Sequence, residues 1–359
     1  MSNLTKGILL ALLSVFAASC MALGFKLIDT HLSVWEKMFA RGIGSMIVTW
    51  TIICYLRQRH DRKLQALDTR YAMARVSPTN NLATSTYIHP KKQAIKPSYF
   101  GYKHNLPTLI FRSMCANIAV LFTIYIWNEL PLADADTIQK LETVMVIILG
   151  WIVFKQPVRI VQIIVVVVSF IGAMLIIKPS FNNPQLLPYL AGLASTVFGA
   201  FTYHTGVKLA TSDNGENPLT IEANQTVLLA AMSLIPTIYY FQGWEGQGKY
   251  YLILFLATIF AIVKQYSLVF ALKYAPAFEI SAYNYSSLIW MLIFGMMFFD
   301  FLPDFWSLAG YVFVVTAGLY LFVVNRRKEQ AKMQKRKRIQ KLAKARLKAR
   351  QQHYAQASR

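Results

Sequence analysis

Residues 130–179 read LPLADADTIQKLETVMVIILGWIVFKQPVRIVQIIVVVVSFIGAMLIIKP. Two apolar runs of about 20 residues each, long enough to cross a bilayer, flank the five residues Lys155-Gln156-Pro157-Val158-Arg159. A polar connection that short turns one spanning helix straight back into another. The same design returns 145 residues later: Pro131 aligns with Pro276, Asp134 with Glu279, Gln139 with Asn284 and Gly150 with Gly295, without a gap. The stretch is therefore one copy of an internal repeat built from membrane-spanning hairpins.

Working outward, ten segments have the length and apolarity to span, at 6–25, 33–56, 107–127, 131–154, 158–177, 187–208, 219–240, 250–272, 276–299 and 303–325. Each covers about 30 Å of hydrocarbon at about 1.5 Å per residue. Backbone groups in lipid must be satisfied within the segment. These runs are too long for barrel strands and do not alternate, so they read as helices. The first helix also has a later copy: Val15-Phe16-Ala17-Ala18 aligns with Val197-Phe198-Gly199-Ala200, and Glu36 of the second helix aligns with Glu222. The shift falls from 186 at Glu36 to 145 from the fourth helix on, so the first copy carries about 41 extra residues. The expected fold is an all-α membrane protein of ten transmembrane helices, arranged as two five-helix repeats. Residues 1–177 hold the first repeat with a basic insertion at 57–106. Residues 178–325 hold the second, and 326–359 form a basic tail.

An odd helix number per repeat turns the second copy upside down. The charge distribution tests this. The formal net charge is +21, and all of it resides in two appendages: ten Lys/Arg against two acids in 57–106, and fourteen against one in 326–359. With the N-terminus inside, both appendages fall inside together with Lys155, Arg159, Lys208 and Lys273. Asp29, Glu129, Glu245, Asp300 and Asp304 fall outside with few cations, among them Lys26, Lys178 and Lys249. The expected location is the plasma membrane with both termini cytosolic. The insertion reads as irregular loop with a short helix near 63–74, and the tail as a solvated helix. Three cysteines within apolar runs, Cys20, Cys54 and Cys115, do not make a disulfide framework.

The chain has no phosphate-binding loop, dinucleotide glycine fingerprint or metal-ligand spacing, so neither a cofactor nor a metal is expected, and it does not read as an enzyme. Ionisable and amide groups at membrane depth are what stand out, since each costs roughly 2.5–3.5 kcal/mol unless it meets a cavity or a partner. Lys140 and Glu142 are the deepest. Two residues apart on a helix, they do not face each other, so each requires a partner elsewhere, with Arg41 and Lys264 as candidates for Glu142. The repeat mates Gln139 and Asn284 would face one central path from opposite sides. Tyr283 and Tyr285 are about 200° apart around a helix, so at most one shares the face of that path, where with Tyr266 and Trp290 it could form an aromatic wall. The candidate solute-binding set is thus Arg41, Gln139, Lys140, Glu142, Lys264, Tyr283, Asn284 and Tyr285. Structural pairing between helices is the competing account of the same residues. Asp134 reads as a helix-dipole acid, and Lys26 as a snorkelling end residue.

Trp35-Glu36…Phe39-Ala40-Arg41 and the block Pro131–Pro179, above all its end Gly172…Lys178-Pro179, resemble the EamA-type drug/metabolite transporter superfamily. That resemblance implies carriage of small organic solutes by alternating access through a central cavity. Lys155 departs from the Glu usual in the family at that place, while Asp300 keeps an acid in the second repeat. Partners expected are a small-molecule solute, the lipid bilayer with anionic headgroups along the tail, and a second copy in a homodimer. Nucleic acid is not expected, because Tyr354 is the tail's one aromatic for stacking. The different reading is a non-transporting scaffold or sensor that recruits partners through its basic appendages.

Overall fold

The computed structural model describes residues 3–76, 98–155, 160–177, 186–211, 215–241, 243, 246–274 and 281–357. Among them are helices, turns and no strand. The helices are α1 (Asn3–Leu27), α2 (Val34–Val76), α3 (Leu106–Glu129), α4 (Leu132–Lys140), α5 (Glu142–Ile152), α6 (Ile160–Ile177), α7 (Leu186–Thr211), α8 (Pro218–Tyr240), α9 (Gly248–Tyr274), α10 (Ser287–Phe299) and α11 (Phe305–Ala357), with 3-10 turns at Lys103–Asn105 and Ser281–Ser286. Among the described residues eight helices are long and apolar enough to cross a membrane.

Local chemistry sets where these helices start. Ser33 and Glu36 form a reciprocal capping box: the Glu36 carboxylate accepts from Ser33 N at 2.8 Å and Ser33 Oγ at 2.9 Å, and Glu36 N donates to Ser33 Oγ at 3.2 Å. Asn217 accepts from Leu219 N at 2.9 Å, and Pro218 follows at the first position of α8, where its missing N–H costs nothing.

Packing is by antiparallel pairs: α1 with α9, α2 with α8, α3 with α7, and α6 with α11. Lipid gives apolar side chains no reason to leave it, so close approach and shape must hold such pairs. Small residues permit it. An added Cβ on Gly24 would lie 2.9 Å from Ala257 Cβ, and one on Gly42 2.9 Å from Ala230 N. At the α6–α11 crossing two glycines meet, where a Cβ on Gly310 would lie 2.6 Å from the Gly172 carbonyl oxygen.

The fourth and ninth segments differ from the expected continuous spans. The fourth breaks at Leu141 into α4 and α5. In the ninth, the 3-10 turn Ser281–Ser286 precedes α10, and residues 275–280, including Glu279, lie outside the described set. The two α-helical stretches after these breaks start at Glu142 and Ser287 and are followed by Lys155 and Asp300, both left-handed at φ 51° and 49°. Each of these pairs is separated by 145 residues. The connection 156–159 and the stretch 178–185 lie outside the described residues.

The insertion also departs from expectation. Its first part is not a separate short helix: α2 runs unbroken to Val76, because Arg, Gln, Lys, Leu and Ala dominate 57–76 and the next helix breaker is Pro78. Residues 77–97 lie outside the described set. The end of the insertion then docks. Ser98 N donates to Thr220 Oγ1 and Thr220 Oγ1 to Ser98 O, each at 2.9 Å. The Glu216 carboxylate accepts from Tyr102 N at 2.7 Å and Asn105 Nδ2 at 3.0 Å, and Tyr99 lies under Arg57 at 4.8 Å. The tail is helical to Ala357, continuous with the last span.

At the opposite end two lysines face inward. Lys26 does not snorkel; its Nζ donates to the carbonyls of Trp127 (3.1 Å), Asn128 (2.9 Å) and Leu130 (2.8 Å), taking up the orphan acceptors where α3 ends. Lys37 is fully buried and donates to Asn128 Oδ1 at 3.0 Å. If the Gly172–Gly310 crossing sets the α6–α11 distance, Gly310→Ala lowers the unfolding midpoint of detergent-purified protein well below that of Gly295→Ala, whose new Cβ meets only Phe301 at 3.6 Å. Equal midpoints for the two variants contradict this.

Candidate functional site

The two interrupted segments meet midway along the bundle. Ser287 Oγ, at the first residue of α10, donates to Asp136 Oδ2 at 2.7 Å, and Lys140 Nζ lies 3.2 Å from Asp136 Oδ1. Lys140 thus finds its partner one turn back on its own helix. The sequence argument looked across to other helices and passed over Asp136, although the i,i+4 spacing was there to be read. Ser286 and Ser287 donate to the carbonyls of Tyr283 (2.6 Å) and Asn284 (2.9 Å), supplying hydrogen bonds where the helix tightens to 3-10.

Around this junction charged side chains converge from six helices. Lys264 of α9 interacts electrostatically with Arg41 of α2, Lys140 and Asp136 of α4, and Glu142 of α5. Glu222 of α8 interacts with Arg112 of α3, Arg41 and Lys264. Glu142 leans on the backbone of α7, where a Cβ on Gly199 would lie 2.8 Å from its Cδ. It is nevertheless exposed. Glu142 and Lys264 attract each other without a direct ion pair among the described residues. Arg112 donates to Gln225 Oε1 at 3.0 Å, and its Nε is buried without a partner.

The eight candidate residues fall into three groups. Arg41, Lys140, Glu142 and Lys264 belong to the one charged cluster. Gln139 sits at the end of α4 with its Nε2 buried and unpartnered, while Asn284 is exposed in the 3-10 turn. The tyrosines divide: Tyr283 is half-buried, and Tyr285 packs on α11 so closely that a side chain at Gly318 would strike its hydroxyl. Tyr266 hydrogen-bonds Thr49 at 2.7 Å, whereas Trp290 meets Phe16 of α1 edge-on at 4.8 Å. Glu222 and Arg112 complete the cluster; their signal was their position in spanning runs, and Glu222 was noted only as a repeat mate.

Asp134 is more than a dipole acid. It is buried and accepts from the hydroxyls of Tyr189 at 2.9 Å and of Tyr311, tying α4 to α7 and α11. A separate cavity of about 370 Å³ lies nearer that end between α2, α8 and α9. Its walls are apolar except for Glu36, Thr237 and Tyr251, and none of the charged cluster lines it.

Comparison with known proteins agrees with this architecture. Residues 5–178 match the EamA-like transporter family. Uncharacterized transporters from two strains of Helicobacter pylori are each 24% identical over 250 residues, 68% of this chain and 83% of the relative. Human solute carrier family 35 member G1 is 23% identical over 240 residues, 62% of this chain and 64% of that protein. A solved crystal structure aligns with a TM-score of 0.52 at 12% identity, covering 90% of this chain and 99% of that chain, a likeness of fold alone. The chain is a multi-pass membrane protein whose residues 5–178 match the EamA-like transporter family.

Proposed function

We propose that this chain is a secondary carrier of a small polar organic solute, working by alternating access between two inverted five-helix repeats. The first repeat lies within residues 1–177 and the second within 178–325. One observation carries the proposal: the α-helices that follow the changes in the fourth and ninth segments start at Glu142 and Ser287, 145 residues apart, and α4 is tied to α10 by Asp136–Ser287 beside the charged cluster. Irregular backbone at membrane depth is tolerated where protein encloses it or where it lines a cavity, and carriers build solute sites from such broken helices.

The packing supports the inverted arrangement. Exchanging each spanning segment for its mate turns the α1–α9 pair into the α7–α3 pair. It leaves the α2–α8 and α6–α11 pairs in place. A two-fold axis in the membrane plane has that effect. The basic insertion, Lys155 and the tail then share the cytosolic side of the plasma membrane, and Lys/Arg after residue 326 meet anionic headgroups at about 1 kcal/mol each near the surface. Rocking of one repeat on the other would alternately part the tyrosine clamp on Asp134 at the outer end and the Ser98–Asn105 dock at the inner end.

Glu142 is the residue assigned to coupling. It is attracted by Lys264 and Lys140, and among the described residues it has no hydrogen bond or direct ion pair to release before it takes a proton or meets the solute. Purified protein in liposomes, offered pooled labelled metabolites with and without a proton gradient, is expected to accumulate a solute; absence of flux for every pool refutes the carrier reading. In the same assay Glu142→Gln is expected to lose gradient-driven accumulation at least tenfold while the purified variant keeps its unfolding midpoint. Wild-type accumulation by the variant removes Glu142 from the mechanism.

A further inference from the structure

We infer, resting on the carrier reading above, that the transported solute has a net single negative charge and that Arg41, Arg112 and Lys264 receive its carboxylate or phosphate. The charge count at the site leads there. Four cations, Arg41, Arg112, Lys140 and Lys264, and three acids, Asp136, Glu142 and Glu222, act on one another around the broken helices. Lys140 and Asp136 neutralise each other at 3.2 Å. Three cations then share two carboxylates. One uncompensated positive charge inside a bilayer is expensive, and it is held without cost only when an anion completes the set. A neutral solute leaves the imbalance as it stands, and a cation doubles it.

Hydrogen-bond demand points the same way. Arg112 uses one guanidinium nitrogen on Gln225, while its Nε is buried with no acceptor. Gln139 Nε2, next to Lys140, is likewise a buried donor with no acceptor. Arginine and lysine carry donors alone, so their unmet bonds call for oxygen acceptors. Asn117 Oδ1 is an unmatched acceptor on α3, and Ser113 Oγ, four residues before it, is an unmatched hydroxyl able to donate. A carboxylate or phosphate presents the several acceptor oxygens that a guanidinium fork holds in two parallel bonds. The acids keep a role beside the cations. Glu222 attracts Arg112, Arg41 and Lys264 and so restrains their side chains, and the anion enters a prepared set rather than a mobile one.

The test sorts the liposome pools by charge at neutral pH: monocarboxylates, acidic amino acids and phosphodiesters; neutral amino acids and nucleosides; lysine, arginine and polyamines. Accumulation is expected from the first group, reduced at least tenfold by Arg41→Gln and restored in part by Arg41→Lys, with size-exclusion profiles unchanged. Flux confined to the second or third group overturns the charge assignment and leaves the carrier reading intact. Flux from no group overturns both. Flux of an anion unaffected by Arg41→Gln, Arg112→Gln and Lys264→Gln, each shown to be folded, overturns the assignment of these three side chains.

Discussion

A backbone inside hydrocarbon must satisfy its own N–H and C=O groups, and that constraint governs this molecule. Most spanning segments obey it as unbroken helices. Two do not: at Leu141 the N–H shifts to Ile138 O while the carbonyl still accepts from Met145 N, each at 2.9 Å, and in the Ser281–Ser286 turn the hydroxyls of Ser286 and Ser287 reach the carbonyls of Tyr283 and Asn284. The breaks need shelter from lipid. Buried Leu141, Val144 and Leu288 supply it by packing in the main apolar core. The charged cluster is gathered where regular helix gives way.

The helix pairs explain how such a junction can be held and still move. Glycine and alanine crossings bring α1 to α9, α2 to α8 and α6 to α11 with little side chain between them. These are stiff, dry contacts. Polar fastenings sit instead at the two ends: the hydroxyls of Tyr189 and Tyr311 on Asp134, the Lys26 amine on the end of α3, and Glu216 and Thr220 on the strap from 98 to 105. Hydrogen bonds of this kind, net about 0.5–1.5 kcal/mol each, can be exchanged for water when an end opens. Apolar crossings in mid-membrane have no such substitute, and in the proposed rocking they would serve as the pivots.

Much of the fold could be read from residues. Spans announced themselves by length, while the capping box of Ser33 and Glu36, though its residue types and spacing are in the sequence, came only with the structure. Three kinds of feature were hidden. The breaks at 141 and 286 are absent from any propensity argument, because Leu141 is a good helix former. Long, flexible side chains misled in the same way: Lys26 could reach water or the α3 carbonyls, and only the placement of Trp127–Leu130 decides. The tyrosines were read by angle around an ideal helix, but a 3-10 turn redistributes that angle and sends Tyr285 to Gly318. The cluster itself was half legible. Depth flagged Glu142, Lys140, Arg41 and Lys264, whereas Asp136 was overlooked and Glu222 was taken for a repeat mate near a helix start.

The account stands on the two halves being oppositely oriented, with Lys155 and Asp300 as equivalent turns on opposite faces of the membrane. Single cysteines at 155 and 300, placed in a chain whose Cys20, Cys54 and Cys115 are replaced by serine, can be probed in intact cells with a membrane-impermeant maleimide. The account predicts labelling at 300 and protection at 155 until the cells are permeabilised. Equal labelling of both positions in intact cells would contradict it.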